Sequence, residues 1–92
     1  MPTLRLRSDG FLLIRGAHRL SDEAHTAVAS AMQDRVNARW NISCSRQIAE
    51  ELREWFVGCE QHASAWRSQE WKAMACHAAQ RMIDQALQDE TR

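Results

Sequence analysis

The sequence predicts a helix-dominated α+β fold in which an N-terminal β-hairpin is followed by three α-helices. Apolar and polar residues alternate with period two near the N-terminus, as in a half-buried strand. From Ser21 onward, apolar residues recur with the 3.6-residue period of amphipathic helices. A length of 92 residues fits one domain and not two. We therefore expect residues 1–92 to form a single domain in the order β-β-α-α-α.

The hairpin is predicted over residues 3–15. Leu4 to Arg7 alternates, Asp9-Gly10 is a favoured turn pair, and Phe11 to Ile14 supplies the returning strand. A two-residue loop sets Arg5 opposite Ile14. On this register the core face carries Leu4, Leu6, Phe11 and Leu13, and the outer face carries Arg5, Arg7, Leu12 and Ile14.

The first helix is predicted over residues 21–39, with Ser21 as its N-cap and an alanine-rich apolar stripe. Two cations, Arg35 and Arg39, fall within the apolar sector of this helix, and Trp40 lies on its far side. A buried guanidinium needs a partner, so we expect Arg35 to reach solvent, to pair with a carboxylate of the second helix, or to face a binding partner.

The second helix, over residues 45–66, has the cleanest stripe, with Ser43 or Ser45 as its N-cap: Ile48, Leu52, Trp55, Cys59, His62 and Trp66 lie close to one line. The apolar positions after Trp66 project about 150° away from that line, which favours a break followed by a third helix over residues 68–88. These projections predict that Trp55, Trp66, Trp71 and His62 pack in the core.

Twelve basic and twelve acidic residues cancel, so the chain lacks the net field that steers a protein non-specifically to nucleic acid or anionic membranes. Most of the basic residues are arginines, whose planar fork suits carboxylate and phosphate. The positive charge is concentrated in the first half of the chain, where the arginines of the predicted hairpin lie.

Three cysteines in a chain with no apolar N-terminal leader are expected to be reduced thiols of a cytoplasmic protein. The sequence contains no P-loop, no dinucleotide-binding glycine pattern, no HExxH and no GxSxG motif. We therefore expect a non-enzymatic protein without a cofactor. Cys59 and His62 share a helix face, yet no CxxC pair accompanies them, so a zinc-binding module or a small enzyme is only a third interpretation.

Function is expected to lie in binding, as a small protein-binding regulator or stoichiometric inhibitor. Accessory proteins of phages and mobile elements that act on host complexes have this size and composition, although no residue motif carries that association. A homodimer through the free hairpin edge is also expected. The predicted partner-binding residues are Arg5, Arg7, Leu12, Ile14, Arg15, Arg35, Arg39 and Trp40.

The alternative function is a nucleic-acid-binding regulator. A basic β-ribbon can enter a groove of the duplex, and Arg5, Arg7, Arg15 and Arg19 would supply its cations. The two functions differ in salt dependence, because contacts to phosphate release counterions and a protein interface releases far fewer.

Overall fold

The computed structural model describes residues 1–15 and 19–90, except for the side chain of Arg15. Over these residues the fold consists of a three-stranded sheet and four α-helices. Helices account for 67% of it, and the predicted helix-dominated α+β class is confirmed. The elements in chain order are β1 (Thr3–Arg7), α1 (Ser8–Arg15), α2 (Asp22–Ala29), β2 (Met32–Asp34), β3 (Arg39–Ser43), α3 (Arg46–Ser64) and α4 (Glu70–Glu90), with a 3-10 turn at Arg67–Gln69.

The sheet is antiparallel, with β3 in the centre and β1 and β2 at the edges. Leu4 pairs with Ile42, and all three of Leu4, Leu6 and Ile42 are fully buried. Helix α4 packs against β1. Because side chains alternate along a strand, the sheet buries this face and leaves the other face open.

The predicted hairpin over residues 3–15 is wrong in its second half, because the chain after β1 forms helix α1. Phe11 and Ile14, three residues apart, are only 5% and 1% exposed, whereas Leu12 between them is 64% exposed. This spacing is that of a helix whose one face is buried. Asp9 lies in the first turn of α1, where the helix dipole favours an acidic side chain.

The predicted helix over residues 21–39 is also wrong beyond Ala29. Its N-cap is confirmed, since Ser21 Oγ accepts a hydrogen bond from the backbone N–H of Ala24 at 3.2 Å. The chain then forms the β2–β3 hairpin, in which Ile42 is buried against β1. Pairing with β1 therefore outweighs the helix propensity of the alanines, which is a weak local preference.

Helices α3 and α4 agree with the helices predicted over 45–66 and 68–88 within about two residues at each end. Ser45 caps α3 by accepting a hydrogen bond from the N–H of Ile48 at 3.2 Å. The two helices pack side by side, and Arg53 Nε of α3 donates to Asp84 Oδ1 of α4 at 2.6 Å.

The buried side of α3 is rotated from the predicted line. Phe56 and Ala49, which were not on that line, are fully buried. His62 is exposed, and Trp66 and Trp71 are 58% and 54% exposed, so their prediction as core residues is wrong. Trp66 is the N-cap of the 3-10 turn, in which no residue is buried, and Trp71 follows in the first turn of α4.

Ala38, which precedes β3, has a φ of 53°, a left-handed conformation that side chains disfavour. Replacing Ala38 with glycine removes a backbone strain of about 1 to 2 kcal/mol. It also raises the entropic cost of folding by up to about 1 kcal/mol, because the unfolded chain becomes more flexible. We expect the free energy of unfolding to rise by about 0.5 to 1 kcal/mol in urea denaturation. Ala65, at φ −74°, is the control, and its replacement with glycine should lower stability. Equal losses of stability at both positions would show that the backbone at Ala38 is not strained.

Candidate functional site

Arginines from two strands meet on the open face of the sheet. In the β1–β3 register Arg5 pairs with Asn41 and Arg7 pairs with Arg39, and paired residues project from the same face. Arg5, Arg7 and Arg39 are all exposed. We name this surface the arginine face, and its residues are Thr3, Arg5, Arg7, Met32, Asp34, Arg39, Asn41 and Ser43.

The arginine face has little internal neutralisation. Arg7 Nε lies 3.9 Å from Asp9 Oδ1 in an exposed pair, an interaction of little energy in water. Within the described ranges 1–15 and 19–90, neither Arg5 nor Arg39 has a carboxylate oxygen within 4.0 Å. A positively charged surface therefore lies on a chain whose formal net charge is zero.

Asp34 is the acidic residue of this face, and its carboxylate is engaged in the β2–β3 turn. Asn37 Nδ2 donates to Asp34 Oδ2 at 2.8 Å, and the backbone N–H groups of Asn37 and Val36 donate to Asp34 Oδ1. These bonds, with Arg39 nearby, lower the pKa of Asp34, the Asn37 side chain having the largest influence. The aspartate holds the turn in shape, and its charge also interacts with Arg39, its partner in the β2–β3 register.

Four of the eight predicted partner-binding residues lie on or beside this surface. Arg5, Arg7 and Arg39 belong to it, and Arg35 is exposed in the turn between β2 and β3. The prediction that Arg35 lies in the apolar sector of a helix is wrong, because Asp34 ends β2 and begins a turn there.

The other four predicted residues do not join the arginine face. Trp40 points to the opposite, buried side of the sheet and stacks on Phe11, with ring centroids 3.6 Å apart. Leu12 is exposed on α1. Ile14 is buried by the helical turn of α1, so its prediction as a partner contact is wrong, and the side chain of Arg15 lies outside the described residues.

A cleft of about 540 Å³ lies between α3, the start of α4 and the end of α1. Trp55, Cys59 and His62 line it together with Lys72 and Cys76. Burial raises the pKa of Cys76 to about 12, helped by the charges of Cys59 and Glu60. Burial also raises the pKa of Cys59. Both thiols are therefore protonated at neutral pH, and a protonated thiol is a poor nucleophile.

The raised pKa of Cys76 predicts a loss of stability in alkali. Below pH 9 the thiol is protonated in both states, but between pH 9 and 12 only the unfolded chain releases the proton, so stability falls as pH rises. The loss should reach about 2 kcal/mol by pH 10.5. Urea denaturation of the native chain and the Cys76→Ala variant checks this, because the variant should have a flatter pH dependence. Equal slopes would contradict it.

A second exposed surface was missed by the sequence reasoning. Trp66, Trp71 and Met74 lie near the junction of α3 and α4 with more than half of each side chain exposed. The helical projection placed the two tryptophans in the core because it counts spacing alone. The helix break predicted after Trp66 was the available signal, since an apolar residue beside a helix break has fewer neighbours to cover it, and the structure has the Arg67–Gln69 turn there.

In the described ranges, no three His, Cys, Asp or Glu side chains are grouped so as to hold a metal ion. None of the described helices combines the length and the apolar character that a membrane span requires. Comparison of the chain with protein-family models, curated proteins and solved structures gave no match.

Proposed function

We propose that the chain is a non-enzymatic regulator that binds an acidic surface of a protein partner through the arginine face. The observation that carries this proposal is the register of β1 with β3, which places Arg5, Arg7 and Arg39 on one open face. Guanidinium groups form paired hydrogen bonds with carboxylates. Arginine is also among the residues that contribute most to the affinity of protein interfaces.

The composition of the arginine face favours a protein partner over nucleic acid. Sheets that bind single strands place aromatic side chains on their open face, where bases stack. The arginine face has no aromatic residue, and Trp40 of β3 points to the buried side. A zero net charge also withholds the general attraction to phosphate.

The state of the thiols supports a function by binding. Cys76 is fully buried, and its high pKa and that of Cys59 disfavour a thiolate at neutral pH. His62 in the same cleft is exposed, and no hydrogen bond joins it to another described side chain that could orient it as a base. A regulator that acts by occupying a surface needs none of these groups.

Affinity capture with matched variants tests the proposal. The native chain, the R5E/R39E variant and the R67E/R81E variant are immobilised, and lysate is applied with and without nuclease. Arg67 and Arg81 are exposed cations of the helical layer, so their reversal makes the same change in net charge away from the arginine face.

We expect the native chain and R67E/R81E to retain the same protein, and nuclease not to release it. The affinity of R5E/R39E for this protein should be more than about 100-fold lower, since like charges at an interface cost several kcal/mol. Retention by all three chains would contradict the role of the arginine face. Release by nuclease would favour the nucleic-acid function instead. The predicted homodimer stays a prediction.

A further inference from the structure

The outer edge of β1 offers backbone groups to a further strand. Pro2 O accepts a hydrogen bond from Cys44 N at 3.2 Å, and Ser8 N donates to Ala38 O at 3.0 Å. Since antiparallel pairs bond at alternate residues, these two bonds direct the even-numbered residues of β1 towards β3. The N–H and C=O groups of Thr3, Arg5 and Arg7 therefore point away from the sheet. In the described part of the chain, β1 has no second neighbouring strand.

A groove of about 410 Å³ runs between this edge and helix α4. Arg5 and Arg39 border it on the side of the arginine face. Met82 and Ala86 border it on the side of α4 and offer apolar surface there, and Gln85, Asp89 and Glu90 line the same side. The two carboxylates already have partners, since Asp89 Oδ1 accepts from Gln85 Nε2 at 3.0 Å and Glu90 Oε1 lies 3.4 Å from the N-terminal amine. An added strand in this groove would place alternate side chains against these two unlike surfaces.

Charge selects which strand the groove accepts. If β1 of a second copy paired antiparallel about Arg5, the two Arg5 side chains would lie opposite each other, and like charges in that arrangement are destabilising. An acidic strand instead places carboxylates beside Arg5 and Arg39, which have no acidic partner within 4.0 Å in the described ranges. The arginines thus disfavour self-pairing at this edge and favour an acidic segment.

We infer that an extended acidic segment of the partner protein adds to β1 as a fourth strand. Its acidic side chains contact Arg5 and Arg39, and the small apolar side chains between them lie over Met82 and Ala86. This inference rests on the proposed function and names the form in which the partner is bound.

The probe is a capped heptapeptide of alternating glutamate and valine, titrated into the full chain while amide exchange is followed by NMR. Slower exchange is expected at the N–H groups of Thr3, Arg5 and Arg7, which the new strand would cover. A peptide N-methylated at the residues that bond to β1 keeps its charge but loses those hydrogen bonds. It should bind at least about ten-fold more weakly, since each lost hydrogen bond contributes about 1 kcal/mol. A lysine–valine peptide is the charge control.

Binding that leaves these three N–H groups unprotected, equal binding of the lysine–valine peptide, or no binding at millimolar peptide would each overturn the inference. The proposed function fails separately. If R5E/R39E loses the captured protein while the edge N–H groups of the native complex exchange freely, the arginine face binds and the added strand is wrong. If R5E/R39E retains the protein, the function itself is wrong.

Discussion

Replacing Phe56 with alanine should cost about 3 to 5 kcal/mol of stability, the usual range for a buried aromatic side chain. Phe56 is fully buried on α3 and packs edge to face with Trp55, with ring centroids 5.2 Å apart. Removing the ring leaves a cavity that close-packed neighbours fill only in part. Because a native domain is stable by only about 5 to 15 kcal/mol, the urea midpoint should fall steeply.

Trp66→Ala is the matched control, because it removes a larger ring from the same stretch of chain. Its side chain is 58% exposed, and we expect its loss to change stability by about 1 kcal/mol or less. The helical projection alone predicts the reverse order, with Trp66 in the core. A larger loss at Trp66 than at Phe56 would show that the buried side of α3 is the projected one.

The second large effect is expected at Ile14, which is 1% exposed on α1. Its replacement with alanine should cost about 2 to 5 kcal/mol. Leu12→Ala removes a side chain of similar size that is 64% exposed, and should change stability by no more than about 0.5 kcal/mol. Thermal and urea denaturation of the two variants measure the difference. A β-hairpin places both residues on its outer face, so equal small effects would favour the hairpin and contradict helix α1.

Long periodic segments were predictable from the sequence, and short ambiguous ones were not. Helices α3 and α4 each extend over more than five turns, so many apolar positions agree on one period. Phe11 to Ile14 is a run of four apolar residues, which suits a strand or a helix equally well. The Asp9-Gly10 pair favours a turn and so indicated a hairpin, whereas in the structure Gly10 lies within α1, close to Ala79 of α4.

The strands β2 and β3 were hidden because their stability depends on a distant partner. Met32 to Asp34 and Arg39 to Ser43 continue an alanine-rich stretch that favours a helix locally. Only pairing with β1, more than thirty residues earlier, makes Ile42 a core residue. The alternation of Trp40, Asn41, Ile42 and Ser43 was the signal, but it is short beside the helical period that precedes it.

The candidate site was predicted in its residues but not in its arrangement. Arg5 and Arg7 were placed together by the alternation of β1, which holds for any strand. Arg39 is a candidate in the sequence because its helical projection falls within an apolar sector, and in the structure it lies beside Arg7 because β3 pairs with β1. The sequence pattern does not indicate that β3 pairs with β1. The individual arginines could therefore be predicted as candidates, but their position on one face could not.

Pairing of β1 with β3 brings Arg5, Arg7 and Arg39 onto one face. Oxidation of paired cysteine variants tests it most directly. Arg5 and Asn41 face each other in a pair that shares no backbone hydrogen bonds, where Cα atoms lie about 4.5 Å apart, close enough for a disulfide.

We expect an Arg5→Cys/Asn41→Cys variant to form a disulfide between positions 5 and 41 under mild oxidation, identified by peptide mass mapping. An Arg5→Cys/Ile14→Cys variant should form none. The predicted hairpin sets Arg5 opposite Ile14 and requires the reverse. A disulfide between positions 5 and 14, with none between 5 and 41, would contradict the shared face of the three arginines.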